Sequence, residues 1–178
     1  MESCIVDEPQ SFKLTLAALI LISRLADIGS TYLVSPKLEL ESNPIVRYLK
    51  WPYAFLTLLV FVLPYWSVGA GIVVMVASLL VAASNSSKIW LARALGESEY
   101  RALIVATAAR ANPMPSLIFA LLPALFMAIL GAAVMYFYPN PDTDLGYYVG
   151  LGILGYAMVV AIYAPLTFLR NRRAGLSG

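Results

Sequence analysis

Arg24 and Asp27 stand three residues apart inside an otherwise apolar run. On a helix that spacing lets the two side chains meet. Each charge costs about 2.5–3.5 kcal/mol at the centre of a membrane helix on insertion scales. A segment selected only to span would carry neither. Ser23, Asp27, Ser30 and Thr31 fall on one helical face. Asp27 lies roughly 10 Å of helical rise before Ser35, which puts it in the half of the bilayer next to that end. Beyond Ser35-Pro36 the chain offers Glu39, Glu41, Asn43 and Pro44, and Ser84, Asn85, Ser86 and Ser87 form a second polar group. Oxygen donors of this kind suit Mg²⁺, Ca²⁺, Na⁺ or a proton, and suit no soft metal.

Two readings of this segment compete. In the structural one, Arg24 neutralises Asp27 and the hydroxyls satisfy buried backbone or one another, while Asn43-Pro44 caps and starts the next helix. In the functional one, Asp27, Thr31, Glu41 and Asn43 surround a cytoplasm-facing cavity that binds or passes an ion or small polar ligand, supported by Arg24, Ser30 and Pro44. Intramembrane ionisable residues are functional candidates by default. Asp27 and Glu41 oxygens within about 5 Å of each other would mark a shared site. A carboxylate pair could also serve an intramembrane enzyme acting on a lipid or peptide.

Absences limit the chemistry. The chain has no histidine and one cysteine, Cys4. That removes Ser-His and Cys-His relays, His-ligated zinc and any intrachain disulfide. No catalytic residue is assigned and no cofactor is expected; the metal, if any, is open. Asp142-Thr143-Asp144 matches a D-x-D pattern, but two carboxylates in a short Pro-flanked turn cannot complete a six-oxygen shell.

The elements that must position these residues follow from composition. Of 178 residues, 61% are hydrophobic and 12% charged, against about 25% charged in a soluble domain. The expectation is an all-α, polytopic membrane bundle in the plasma (inner) membrane, partnered by lipid and not by nucleic acid. A bilayer core takes about 20 apolar residues per helix. Five spans are expected, at about 14–34, 51–65, 68–85, 116–138 and 147–169. Residues 1–13 form a short outer tail with no signal-peptide pattern, residues 14–170 one membrane domain, and residues 171–178 a basic tail. Spans two and three come from one apolar stretch broken at Pro64-Tyr65-Trp66-Ser67, with a re-entrant hairpin as the rival.

Ten of the twelve basic residues fall in loops 35–50 and 86–115 or near the C-terminus. The positive-inside rule therefore puts the N-terminus outside and the C-terminus in the cytoplasm. Tyr65, Trp66, Tyr136, Tyr138, Tyr147 and Tyr148 then form an outer aromatic belt, with Tyr48, Trp51, Tyr53 and Trp90 at the inner surface. Ala120, Ala124, Ala128 and Ala132, with Gly146, Gly150, Ala157 and Ala161, are small-residue faces. They suit packing within the bundle, with a homo-oligomer seam or a partner membrane protein as the other use. Ile89–Ala109 is expected to be amphipathic and broken at Gly96.

Asp27-Ile28-Gly29-Ser30-Thr31-Tyr32, followed by Glu41-Ser42-Asn43-Pro44, resembles the Asp-x-x-Ser/Thr-Thr … Glu-x-Asn-Pro pattern of a family of small bacterial and archaeal multi-pass membrane proteins, the DUF5658-like group. The match covers about 20 residues of the first hairpin; Ser-Pro-Lys stands where that family often has Gly-Gly. The resemblance implies that Asp27, Thr31, Glu41, Asn43 and Pro44 belong to one unit. It carries no activity over.

Overall fold

A computed structural model describes residues 9–40 and 44–177, and among these the chain is helical with no strand. The helices are α1 (Gln10–Val34), α2 (Pro44–Leu56), α3 (Val68–Leu95), α4 (Glu97–Arg110), α5 (Pro113–Phe137) and α6 (Leu145–Leu176), with a 3₁₀ segment at Thr57–Tyr65 between α2 and α3. Glu41 and Asn43 lie outside the described residues.

Each boundary has a local cause. α1 stops at Ser35, which precedes Pro36 and takes a non-helical conformation, as residues before proline do. α2 is bent at Lys50, whose φ of 57° breaks the helix. Pro52 then sits in the first turn of the second piece, where its missing N–H is not needed. The 3₁₀ segment ends around Pro64. The N–H groups of Trp66 and Ser67 both bond the Leu63 carbonyl, at 2.9 and 2.8 Å. Ser67 then caps α3, its hydroxyl accepting from the Ala70 N–H at 3.2 Å. The expected break between spans two and three is therefore present at its expected place.

α3 runs further than its expected end at 85. It continues through the polar group at 84–88 to Leu95. Ser86 and Ser87 donate their hydroxyls back to the carbonyls of Ala82 and Ser84, both at 2.8 Å. These residues satisfy themselves within the helix and do not stop it. The stop comes at Gly96, with φ 82°, a conformation that costs a side-chain-bearing residue far more. α6 likewise continues past the expected 169 through Arg170 and Arg172 to Leu176. At 1.5 Å per residue its 32 residues reach about 48 Å, longer than a hydrocarbon core of about 30 Å.

α1 and α3 run in the same direction, with Ile20 beside Ile72, Arg24 beside Ser78 and Thr31 beside Asn85, and α5 runs against α6, with Tyr138 beside Gly146 and Gly131 beside Gly150. α1 packs on α3 and on the 3₁₀ segment, α3 on α6, and α5 and α4 on α6. Leu16, Ile20 and Ile72 form the closed apolar core. α5 and α6 cross where Gly131 meets Gly150. A Cβ on either would stand under 3.0 Å from the other's carbonyl oxygen, so the backbones touch, as small-residue crossings in membranes require. Of the expected small residues, Ala124, Gly150 and Ala157 are buried and Gly146 packs against Tyr138, while Ala132 is exposed.

Four helical stretches are long and apolar enough to cross a membrane: Tyr48–Tyr65, Val68–Leu95, Pro113–Phe137 and Leu145–Leu176. α1, which holds Arg24 and Asp27, is not among them. Ile118, Phe119, Phe126 and Ile129 on α5 are all more than half exposed. Such continuous apolar exposure exceeds what a soluble monomer carries and fits a lipid-facing surface. The ends differ in chemistry. Trp66, Tyr136 and Tyr138 are exposed at one; Lys88, Arg101, Arg170 and Arg172 gather at the other, where Arg172 bonds the Ala111 carbonyl.

Candidate functional site

Arg24 and Asp27 meet as their spacing predicts, with Nη1 to Oδ2 at 2.6 Å. The pair is largely enclosed, 18% and 13% exposed. Arg24 reaches further than its own helix. Its Nη1 also donates to Ser78 Oγ on α3 at 3.2 Å, and its Nη2 to Thr57 Oγ1 at 2.5 Å. Thr57 in turn donates to the Ala54 carbonyl at 2.6 Å. One guanidinium therefore joins three elements. Its Nε is buried without a hydrogen-bond partner. Ser23 and Ser30 donate to the carbonyls of Ile20 and Asp27, at 2.8 and 2.9 Å, so both serve the backbone of their own helix.

Two cavities flank this helix. The inner one, about 360 Å³, is lined by Arg24, Asp27, Thr31, Thr57, Asn85 and Tyr163 among apolar residues. Asp27 is its one carboxylate among the described residues. The outer one, about 230 Å³, lies toward the basic end and is lined by Thr31, Ser35, Glu39, Asn85, Lys88 and Arg101 with residues of α6. Thr31 and Asn85 border both. Asn85 Nδ2 donates to Thr31 Oγ1 at 3.0 Å, so the two residues that border both cavities are bonded to each other.

The rim is closed by a carboxylate the sequence did not single out for this role. Glu97, at the start of α4, accepts from the Ser35 hydroxyl and from the N–H groups of Lys37 and Glu39, both at 2.9 Å. Leu40 N–H bonds Ser35 Oγ at 3.1 Å. The turn 35–40 is thereby clasped onto α4, with Leu38 at φ 59° and its side chain buried. The signal was weak: a Ser-Pro turn, and a Glu directly after the Gly that starts a helix. A carboxylate there also suits the positive end of the α4 dipole.

Of the expected site residues, Asp27 and Thr31 both border the inner cavity, with Arg24 beside them. Ser30 is tied to backbone. Pro44 begins α2. Glu41 and Asn43 lie outside the described residues, so their distance from Asp27 is not defined. Ser78, Thr57 and Tyr163 were not foreseen. Each lies on a separate element, and no local spacing links them to residue 24. Asp142-Thr143-Asp144 forms a turn around Asn140, whose Oδ1 accepts from Asp142 N–H at 3.0 Å. Among the described residues, no three of His, Cys, Asp and Glu stand together as metal ligands. Comparison of the chain with protein-family models, with curated proteins and with solved structures returns no match.

Proposed function

We propose that the chain is a five-span integral membrane protein that admits a small ion or polar ligand from its basic, cytoplasmic end to the cavity beside Asp27 and Thr31. The observation that carries this reading is the pair of cavities that adjoin at Thr31 and Asn85. In this reading the ligand passes from the outer cavity to the inner one at Thr31 and Asn85, whose mutual hydrogen bond lies where the two adjoin. α1 is the fifth span in this reading. Its 25 residues reach about 37 Å, and its two charges point at protein, not lipid. The basic asymmetry supports an N-terminus outside and a C-terminus in the cytoplasm, and the membrane in this reading is the plasma (inner) membrane. The resemblance of the first hairpin to the DUF5658-like pattern supports treating Asp27, Thr31, Glu41, Asn43 and Pro44 as one unit.

A second reading is favoured by the reach of Arg24 to Asp27, Ser78 and Thr57: the cluster is then a strut in a structural or accessory subunit. The two readings part on water and charge. In a Cys4→Ser chain, Thr31→Cys should react with a water-soluble thiol reagent applied from the C-terminal side. The thermal midpoint in detergent should shift with Na⁺, Mg²⁺ or Ca²⁺, or with pH between 5 and 8. At a hundredfold excess over Kd the gain is about 2.7 kcal/mol. Asp27→Asn keeps size and most acceptor capacity, and should fold but lose that response. An unreactive Thr31→Cys, with a midpoint indifferent to every cation and to pH, would leave only the strut.

A further inference from the structure

We infer that the turn 35–40 is a lid over the two cavities, with the Leu38 side chain as its stopper and Glu97 as its latch. This rests on the reading that the inner cavity takes a ligand, and names what controls entry to it. The turn borders both spaces: Ser35, Glu39 and Leu40 line the outer cavity and Leu38 the inner one. Ser35 and Leu38 are each 3% exposed, so the turn is packed against the bundle and not carried at its surface. Lifting it uncovers the inner cavity toward the basic end.

Two opposing features make this segment a two-state element. Leu38 has φ 59°, a left-handed backbone that is an outlier for a bulky side chain. Strain of that kind persists only where the surroundings impose it. Here Glu97 imposes it, accepting from the Ser35 hydroxyl and, at 2.9 Å each, from the N–H groups of Lys37 and Glu39 on either side of Leu38. Within the turn, Leu38 N–H bonds the Ser35 carbonyl at 2.9 Å. Trp51 Nε1 on α2 donates to the Pro36 carbonyl at 3.0 Å, and Glu39 lies 3.9 Å from Arg101 on α4. The backbone of the turn thus favours release, while its contacts to α2 and α4 favour closure. Three of those contacts end on one carboxylate, so withdrawing Glu97 frees three donors together. Trp51 also lines the inner cavity, which couples the turn to the cavity wall.

In a full Cys4→Ser chain purified in detergent, Val81→Cys places a thiol on the α3 wall of the inner cavity. Its rate of reaction with a water-soluble methanethiosulfonate reads how often the lid is open. Glu97→Gln weakens the latch and keeps the stopper. It should raise the rate about tenfold, the factor by which one lost charge-assisted bond enlarges an open population. Leu38→Gly removes the stopper, and glycine takes a positive φ freely, so the turn keeps its shape. It should raise the rate at least as much, whereas Leu38→Met, of similar volume, should keep it slow. Ala17→Cys, at a position 5% exposed on α1, reports general loosening and should stay unreactive in every variant. A Val81→Cys rate indifferent to both Leu38→Gly and Glu97→Gln would overturn the lid, as would equal acceleration at Ala17→Cys. Asp27→Asn should lose the cation response and leave all these rates unchanged. A lid that opens in a chain without cation or pH response therefore sinks the ligand alone, and a cation response with no effect of the turn sinks the lid alone.

Discussion

At the scale of the residue, Arg24 decides most. It neutralises Asp27 within α1 and ties that helix to α3 and to the 3₁₀ segment. Arg24→Leu would take the guanidinium away from a carboxylate that is 13% exposed, and breaking such a pair costs about 3–5 kcal/mol. Arg24→Leu combined with Asp27→Leu should recover most of that loss, read as thermal or denaturant stability in detergent. A double variant no more stable than the single would show that the two do not act as a pair. Glu97 is the second residue with reach. Its carboxylate accepts three hydrogen bonds from the turn 35–40. Glu97→Gln should cost about 1–3 kcal/mol, as a charge-assisted acceptor is lost, and should expose the turn to protease. Unchanged cleavage there would remove the clasp from the account. The Arg24–Asp27 contact was legible because i,i+3 geometry is local. The Glu97 contact was not, because 62 residues separate it from Ser35 and no periodicity spans that interval.

At the scale of the element, helix ends were decided by which polar groups could satisfy themselves. Ser86 and Ser87 could, by bonding back to their own helix, so α3 ran on to Gly96. Crossings were decided by glycine. Gly150→Val would drive a side chain into the Gly131 carbonyl, which a Cβ on Gly150 already meets at 2.8 Å. Backbone cannot yield as a side-chain tip can, so α5 must move away, at about 1–3 kcal/mol for overpacking alone. Gly155→Ala, on the same helix, meets nothing within 4 Å and should be neutral, or stabilising by up to about 1 kcal/mol. Thermal midpoints of the two variants side by side test the crossing; equal midpoints would contradict it.

At the scale of the whole molecule, the ends of the bundle carry the topology. Asn140 lies in the turn between α5 and α6, while Ser98 stands in the first turn of α4 at the basic end. In a Cys4→Ser background, Asn140→Cys should label from the outer side, and Ser98→Cys and Ser177→Cys from the cytoplasmic side. Labelling of Asn140→Cys and Ser177→Cys from one side would mean that α6 does not cross, and the five-span arrangement would fall.

Composition, the charged pair, the break at Pro64–Ser67 and the break at Gly96 were all readable from the chain itself. Each depends on neighbours within a few residues: hydropathy over a span, an i,i+3 approach, a proline or a glycine. The tertiary structure alone decided that Ser78 and Thr57 complete the Arg24 cluster, that Asn85 meets Thr31, and that Glu97 closes the rim. It alone brought Lys88, Arg101 and Arg170 to one recess. The reason is physical. In lipid the helices gain nothing from burying apolar faces against one another, so an apolar pattern does not say which faces meet. Small residues and scattered hydroxyls make that choice, and they act between positions that only packing brings together.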